Sequence, residues 1–144
     1  MNAAPSDPTP SSGKSSAPLG LRVVVVEDSV IIRERLEETL RGIPNLMTIG
    51  YAETQDEALA ILREHDWDAV ILDLQLKQGT GIAVLEALAT GDRPRDTTVI
   101  VFSNFDFPQY RTRTMALGAD FFFDKSLEFY RVQEVLSELA GSVH

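Results

Sequence analysis

"DAVILDLQL" (residues 68–76) is the stretch on which the reading of this chain turns. Ala69, Val70, Ile71 and Leu72 form an unbroken apolar run, as a strand covered on both faces requires. The run stops on a carboxylate, Asp73, and apolar residues resume on either side of Gln75. An acid delivered at the end of a fully buried strand needs a reason.

Runs of the same kind recur along the chain, at residues 21–27 ("LRVVVVE"), 47–53 ("MTIGYAE"), 97–103 ("TTVIVFS") and 119–123 ("ADFFF"). Between them the apolar spacing turns helical. Ile32, Leu36 and Leu40 recur at every fourth position. Thr54 and Glu57 stand at capping-box spacing ahead of a stripe of Ala58, Ile61 and Leu62. A third pattern carries Ile82, Leu85 and Leu88. A fourth opens at Asp106-Phe107-Pro108 and stops at Gly118. The fifth places Phe129, Val132, Val135, Leu136 and Leu139 on one face. Five βα repeats predict an α/β fold, a five-stranded parallel sheet with helices on both faces. Residues 1–20, rich in Pro, Ser and Ala, offer little to bury and read as a disordered tail, leaving one domain over 21–141.

Composition narrows the function. The chain has 144 residues, no cysteine and a formal charge of −9, which argues against binding a phosphate backbone. No apolar stretch approaches the roughly 18 residues of a membrane span. A cytoplasmic location is the expectation, since the absence of cysteine fits a reducing compartment.

In a parallel sheet, ligands bind beyond the carboxyl ends of the strands. There this chain places Glu27-Asp28 after the first strand, Asp73 after the third, Ser103-Asn104 after the fourth and Lys125 after the fifth; the second strand brings nothing comparable. Two like charges about 4 Å apart repel by roughly 4 kcal/mol at an effective dielectric near 20. Three acids therefore call for a cation, and an oxygen-only set without His or Cys suits Mg²⁺, with Lys125 adding the remaining positive charge. Asp73 is then placed as a nucleophile able to accept a phosphoryl group. Singly, each residue has an ordinary reading: a helix-capping acid pair, a loop acid, a strand-end hydroxyl, a solvated lysine. Their coincidence at one sheet edge favours the joint reading.

The texts "VVVVED", "VILDLQLKQGTG", "VIVFS" and "GADFFFDKS" resemble the receiver domain of two-component response regulators, a flavodoxin-like fold. The resemblance covers roughly residues 21–140. It implies that Asp73 is the phosphorylated aspartate, with Asp28 a direct Mg²⁺ ligand, Glu27 acting through water, and the backbone carbonyl of Gln75 completing the protein ligands. It implies that Ser103 and Lys125 bind the phosphoryl group, and that Phe122 is the switch aromatic that turns inward as the hydroxyl moves. Gly81 matches the glycine after the phosphorylation loop. Gln75 and Phe105 fall where such domains orient the hydrolytic water, and Asn104 replaces a small residue, so these three are expected to set phosphoryl lifetime.

Two further positions depart from the pattern. Lys77 stands in place of a proline, which predicts a less rigid loop, and Ser126 replaces a proline that follows the lysine through a cis peptide, leaving that isomer open.

The expectation is a stand-alone, chemotaxis-regulator-like switch, not an enzyme acting on other substrates. A histidine kinase or phosphotransfer protein supplies the phosphoryl group. A downstream protein target, or a phosphorylation-dependent homodimer, reads the face of the fourth helix, fifth strand and fifth helix, where Tyr110, Arg111, Arg113 and Tyr130 are expected exposed. Neither nucleic acid nor membrane is an expected partner. The alternatives are a receiver cut from a longer regulator with a DNA-binding domain, a flavodoxin-like flavin carrier, and an aspartate-nucleophile phosphatase. The flavin carrier needs a phosphate loop where Glu27-Asp28 stands, and the phosphatase a second acid where Gln75 stands.

Overall fold

The computed structural model describes residues 20–91, 93–104 and 107–142. In chain order the elements are β1 (Leu21–Val26), α1 (Val30–Arg41), β2 (Leu46–Ala52), α2 (Gln55–Glu64), β3 (Ala69–Leu72), α3 (Gly81–Thr90), β4 (Thr98–Ser103), α4 (Pro108–Ala116), β5 (Phe121–Asp124) and α5 (Phe129–Gly141). The strands form one parallel sheet in the order β2-β1-β3-β4-β5. Alternate strand residues feed two cores. Val23, Val25, Ile71, Ile100, Phe102 and Phe123 face α1 and α5 through Leu36, Leu40, Val132 and Leu136. Val24, Val26, Val70, Leu72, Val101 and Phe122 face α2 and α3 through Ala58, Leu62, Val84 and Leu85. This two-sided burial is why the strands read as continuous apolar runs.

Helix ends follow local chemistry. Ser29, Thr54 and Thr80 cap α1, α2 and α3, each hydroxyl accepting from the backbone N–H three residues on. At α2 the Glu57 carboxylate accepts from the N–H of Glu53 at 2.8 Å, one residue ahead of the capping threonine. Pro108 opens α4 without a side-chain cap, and Gly118, at φ +104°, takes the chain out of it. Composition groups Gly20 with the tail, yet it is buried: a Cβ there would lie 2.4 Å from the Asn45 carbonyl oxygen. Residues 1–19 lie outside the described residues. No helix among the described residues is long and apolar enough to cross a membrane.

The connection through β2 leads to one side of β1 and the rest of the chain builds on the other. The strand order therefore reverses between β1 and β3, and their carboxyl ends flank the resulting crevice.

Candidate functional site

Val26 and Leu72 are register partners, and the Asp73 N–H donates to the Val26 carbonyl at 3.0 Å. Glu27-Asp28 and Asp73 thus leave adjacent strands side by side. Carboxylate oxygens of Glu27, Asp28 and Asp73 lie within 4.8 Å of one another. Lys125 follows β5, and its N–H donates to the Ser103 carbonyl at 3.2 Å. Its ammonium sits among the acids, 2.8 and 3.0 Å from the two oxygens of Glu27 and 2.9 Å from Asp73 Oδ2. Asp73 Oδ1 accepts from the Gln75 N–H at 3.3 Å, and Glu27 Oε2 from the Ser29 N–H at 3.0 Å. Glu27, Asp73, Ser103 and Lys125 are all buried, whereas Asp28 is half-exposed.

Burial competes with ion pairing across the cluster. It raises the Glu27 pKa above the ordinary carboxylate value, against the hydrogen bond from Lys125; the neighbouring Asp73 charge pushes the same way as burial. For Lys125, burial alone would lower the pKa, but the hydrogen bonds and charges of Glu27 and Asp73 outweigh it and hold the ammonium above its usual value. One ammonium against three carboxylates leaves two formal negative charges on an all-oxygen donor set. A hard divalent cation fits that set.

Residues 23–137 match the model of the response regulator receiver domain. The chain belongs to that family. Among its relatives is a protein-glutamate methylesterase/protein-glutamine glutaminase of Methanospirillum hungatei, 31% identical over 85% of this chain and 36% of that protein. The transcriptional regulatory protein MalR of Bacillus subtilis is 30% identical over 82% of this chain and 49% of its own length. The chain thus spans between about a third and a half of these relatives. Among solved structures, the signal receiver domain of NarL from Mycobacterium tuberculosis superposes with a TM-score of 0.76 at 24% identity, covering 88% of this chain and all of that one. The response regulator domain of Thermotoga maritima CheB gives 0.71 at 24% identity, covering 87% and 99%.

Other site positions of this receiver differ in how they are placed. Phe122 is buried in the core that faces α2 and α3, beneath the Arg111 side chain. Asn104 is exposed, and its Oδ1 accepts from the Ser126 hydroxyl at 3.2 Å, so two of the three departures from the family pattern bond to each other. There is no cis peptide bond among the described residues, so Lys125–Ser126 is trans. The turn is held instead by Asp124, whose Oδ1 accepts from the N–H groups of Ser126 and Leu127. Phe105 lies outside the described residues.

One expectation needs correcting. Tyr110 and Arg111 are half-buried rather than exposed: Tyr110 packs against the core, and Arg111 spans the Phe122 ring. Arg113 and Tyr130 are exposed, Arg113 pairing with Glu86. The end of β2 carries an acid too, held outside the cluster of Glu27, Asp28 and Asp73. Glu53 pairs with Arg33 on α1 at 2.9 Å and with Lys77 at 3.4 Å, and its carbonyl accepts from the Lys77 N–H. With the Gln55 N–H donating to the Gln78 carbonyl and the Thr80 N–H to Gln55 Oε1, this ties down the loop that lacks proline.

Gly81 closes the back of the site. A Cβ there would lie 2.1 Å from the Asp73 carbonyl oxygen and 2.8 Å from the Leu74 Cα, both backbone atoms that cannot swing aside. Gly81→Ala is expected to cost about 1–3 kcal/mol, as overpacked substitutions do. It should also displace Asp73 and slow its modification, and urea unfolding beside acetyl phosphate labelling checks both effects. Unchanged values for both would show that α3 can retreat without moving the acid.

Proposed function

We propose that this receiver is a phosphorylation switch whose acceptor is Asp73. The observation that carries the reading is the Lys125 ammonium bridging Glu27 and Asp73 at the sheet edge, with Asp28 completing the acid cluster. An Asp73 oxygen attacks the phosphorus of a phosphohistidine on a histidine kinase or phosphotransfer protein. The P–N bond breaks, the imidazole keeps the electron pair, and an acyl phosphate forms. Mg²⁺, held by Asp28, Asp73, the Gln75 carbonyl and Glu27 through water, would offset charge on the phosphoryl oxygens. Lys125 is within reach of a phosphoryl oxygen on Asp73, and Ser103 ends the neighbouring strand to supply a hydroxyl. The α4-β5-α5 face then changes its preference for a protein target or a second copy. The test is labelling by acetyl phosphate with Mg²⁺, and mapping of a hydroxylamine-sensitive phosphoryl group to the Asp73 peptide. A stable label on another residue would overturn the reading.

Stand-alone signalling in the cytoplasm belongs to the same proposal. A second organisation, a receiver within a longer regulator, is favoured by the greater length of both relatives. The genomic reading frame separates the two.

Phosphoryl lifetime follows from the residue types at positions 75, 104 and 105. Gln75 is exposed and can hold a water, whereas Phe105 has no donor or acceptor, and Asn104 narrows the approach. Losing one orienting hydrogen bond worth about 1.4 kcal/mol slows hydrolysis about tenfold. Slow self-dephosphorylation is expected, with Phe105→Glu changing the decay several-fold and leaving Mg²⁺ affinity nearly untouched. Decay after donor removal measures it; equal rates would remove position 105 from control of the lifetime.

A further inference from the structure

The switch aromatic of this chain carries a cover of its own. Phe122 is only 6% exposed in a protein with an unmodified Asp73. The Arg111 guanidinium lies over its ring, with Cζ 4.5 Å from the centroid. The same guanidinium donates to the Phe122 carbonyl at 3.3 Å and comes within 3.7 Å of Glu128 Oε1. Glu128 is itself fixed, its carboxylate accepting from the Asp124 N–H and its own N–H donating to the Asp124 carbonyl. Three elements therefore hold one side chain over one ring: α4 supplies Arg111, β5 the ring and carbonyl, and the start of α5 the acid.

We infer that Arg111 is a positioning residue for the switch, holding the Phe122 ring buried before phosphorylation. The inference rests on reading Phe122 as the switch aromatic. A phenyl ring has no hydroxyl with which to hold itself in either position. The planar guanidinium supplies the hold from outside, by stacking on the ring face and bonding the ring's own backbone. The ring is then already held in one buried arrangement, and modification of Asp73 shifts it less than it would in a domain whose aromatic is free to turn.

The test uses protein labelled with 4-fluorophenylalanine, the Phe122 fluorine signal being identified by its loss in Phe122→Leu. In the unmodified wild type this signal should be shielded from a soluble paramagnet. In Arg111→Ala the paramagnetic broadening should rise at least threefold, with Arg111→Gln as a second variant in case the alanine protein does not fold. Arg111→Lys, which keeps charge but loses the planar cover, should behave like Arg111→Ala. Beryllofluoride with Mg²⁺ should move the Phe122 signal little in wild type and more in Arg111→Ala. Equal shielding in wild type and folded variants, full shielding in Arg111→Lys, or a large beryllofluoride shift in wild type would each overturn the inference. If beryllofluoride alters no signal in any protein, the Asp73 reading fails, and ring shielding in the unmodified proteins still decides the role of Arg111.

Discussion

Replacing Asp73 with asparagine is expected to lower acetyl phosphate labelling at least about 100-fold, close to 2.7 kcal/mol in the barrier. An amide oxygen of the same shape is a poor nucleophile. The substitution leaves the backbone hydrogen bond from residue 73 to Val26 in place, and Lys125 keeps an oxygen to donate to. Loss of labelling should therefore come without loss of fold, which circular dichroism and unfolding curves check on the same sample. Chelating Mg²⁺ from the wild type should have a comparable effect. Glu27 is no substitute acceptor, being 1% exposed and held through both oxygens by Lys125. Asp28 is half-exposed and is the alternative to watch. A variant labelled at the normal rate, or a label mapped to Asp28, would show that the acceptor has been misassigned.

The parts of this structure that were legible in the sequence are those governed by strand position. A run such as Ala69–Leu72, apolar at every residue, has only one environment open to it, and parallel strands bring their carboxyl ends to one edge. Glu27, Asp28, Asp73 and Lys125 come together for that reason alone. What was not legible depends on helix rotation and on side chains meeting across elements. Glu53 pairs with a residue of α1 and a residue of the loop before α3, and no sequence spacing records such a meeting. The α4 helix is the clearest case. Its one fully buried residue is Thr114, whose hydroxyl bonds back to the Arg111 carbonyl, so no apolar stripe marks the inward face. Tyr110 and Arg111 then appear solvent-facing in the sequence, although the ring of Phe122 gives Arg111 a surface to lie on.

Lys125→Ala should separate the chemistry of the site from its signal, and should do so at a cost in stability that the geometry explains. Glu27, Asp73 and Lys125 side chains are 1%, 5% and 9% exposed, so solvent does little to screen them. Breaking a buried pair by deleting one partner costs about 3–5 kcal/mol, because the remaining charge is left uncompensated. In metal-free buffer the variant is expected to lose that order of stability in urea unfolding. The deficit should depend on pH in a definite direction. The folded pKa of Glu27 is already raised by burial, and removing the Lys125 hydrogen bond that opposes the shift raises it further. A raised folded pKa means stability that is full below the unfolded carboxylate value and lost as pH climbs through the folded one. The deficit should therefore be smallest in acid and widen toward neutrality. In the wild type the ammonium's own contribution persists until pH rises past its raised pKa, above the ordinary lysine range. Mg²⁺ should restore more stability to the variant than to wild type, since it meets three uncompensated carboxylates instead of a cluster already holding one cation. With the metal present Asp73 keeps its nucleophilic oxygen, so some labelling should survive. The response at β5 should not, because Lys125 is the group that links Asp73, through its side chain, to the Ser103 carbonyl, through its backbone. Phosphorylated variant and unmodified variant should then present the same α4-β5-α5 face, as amide exchange across Phe121–Asp124 would report. A phosphorylation-dependent change in that exchange equal to the wild type's would show that the signal leaves Asp73 by another route.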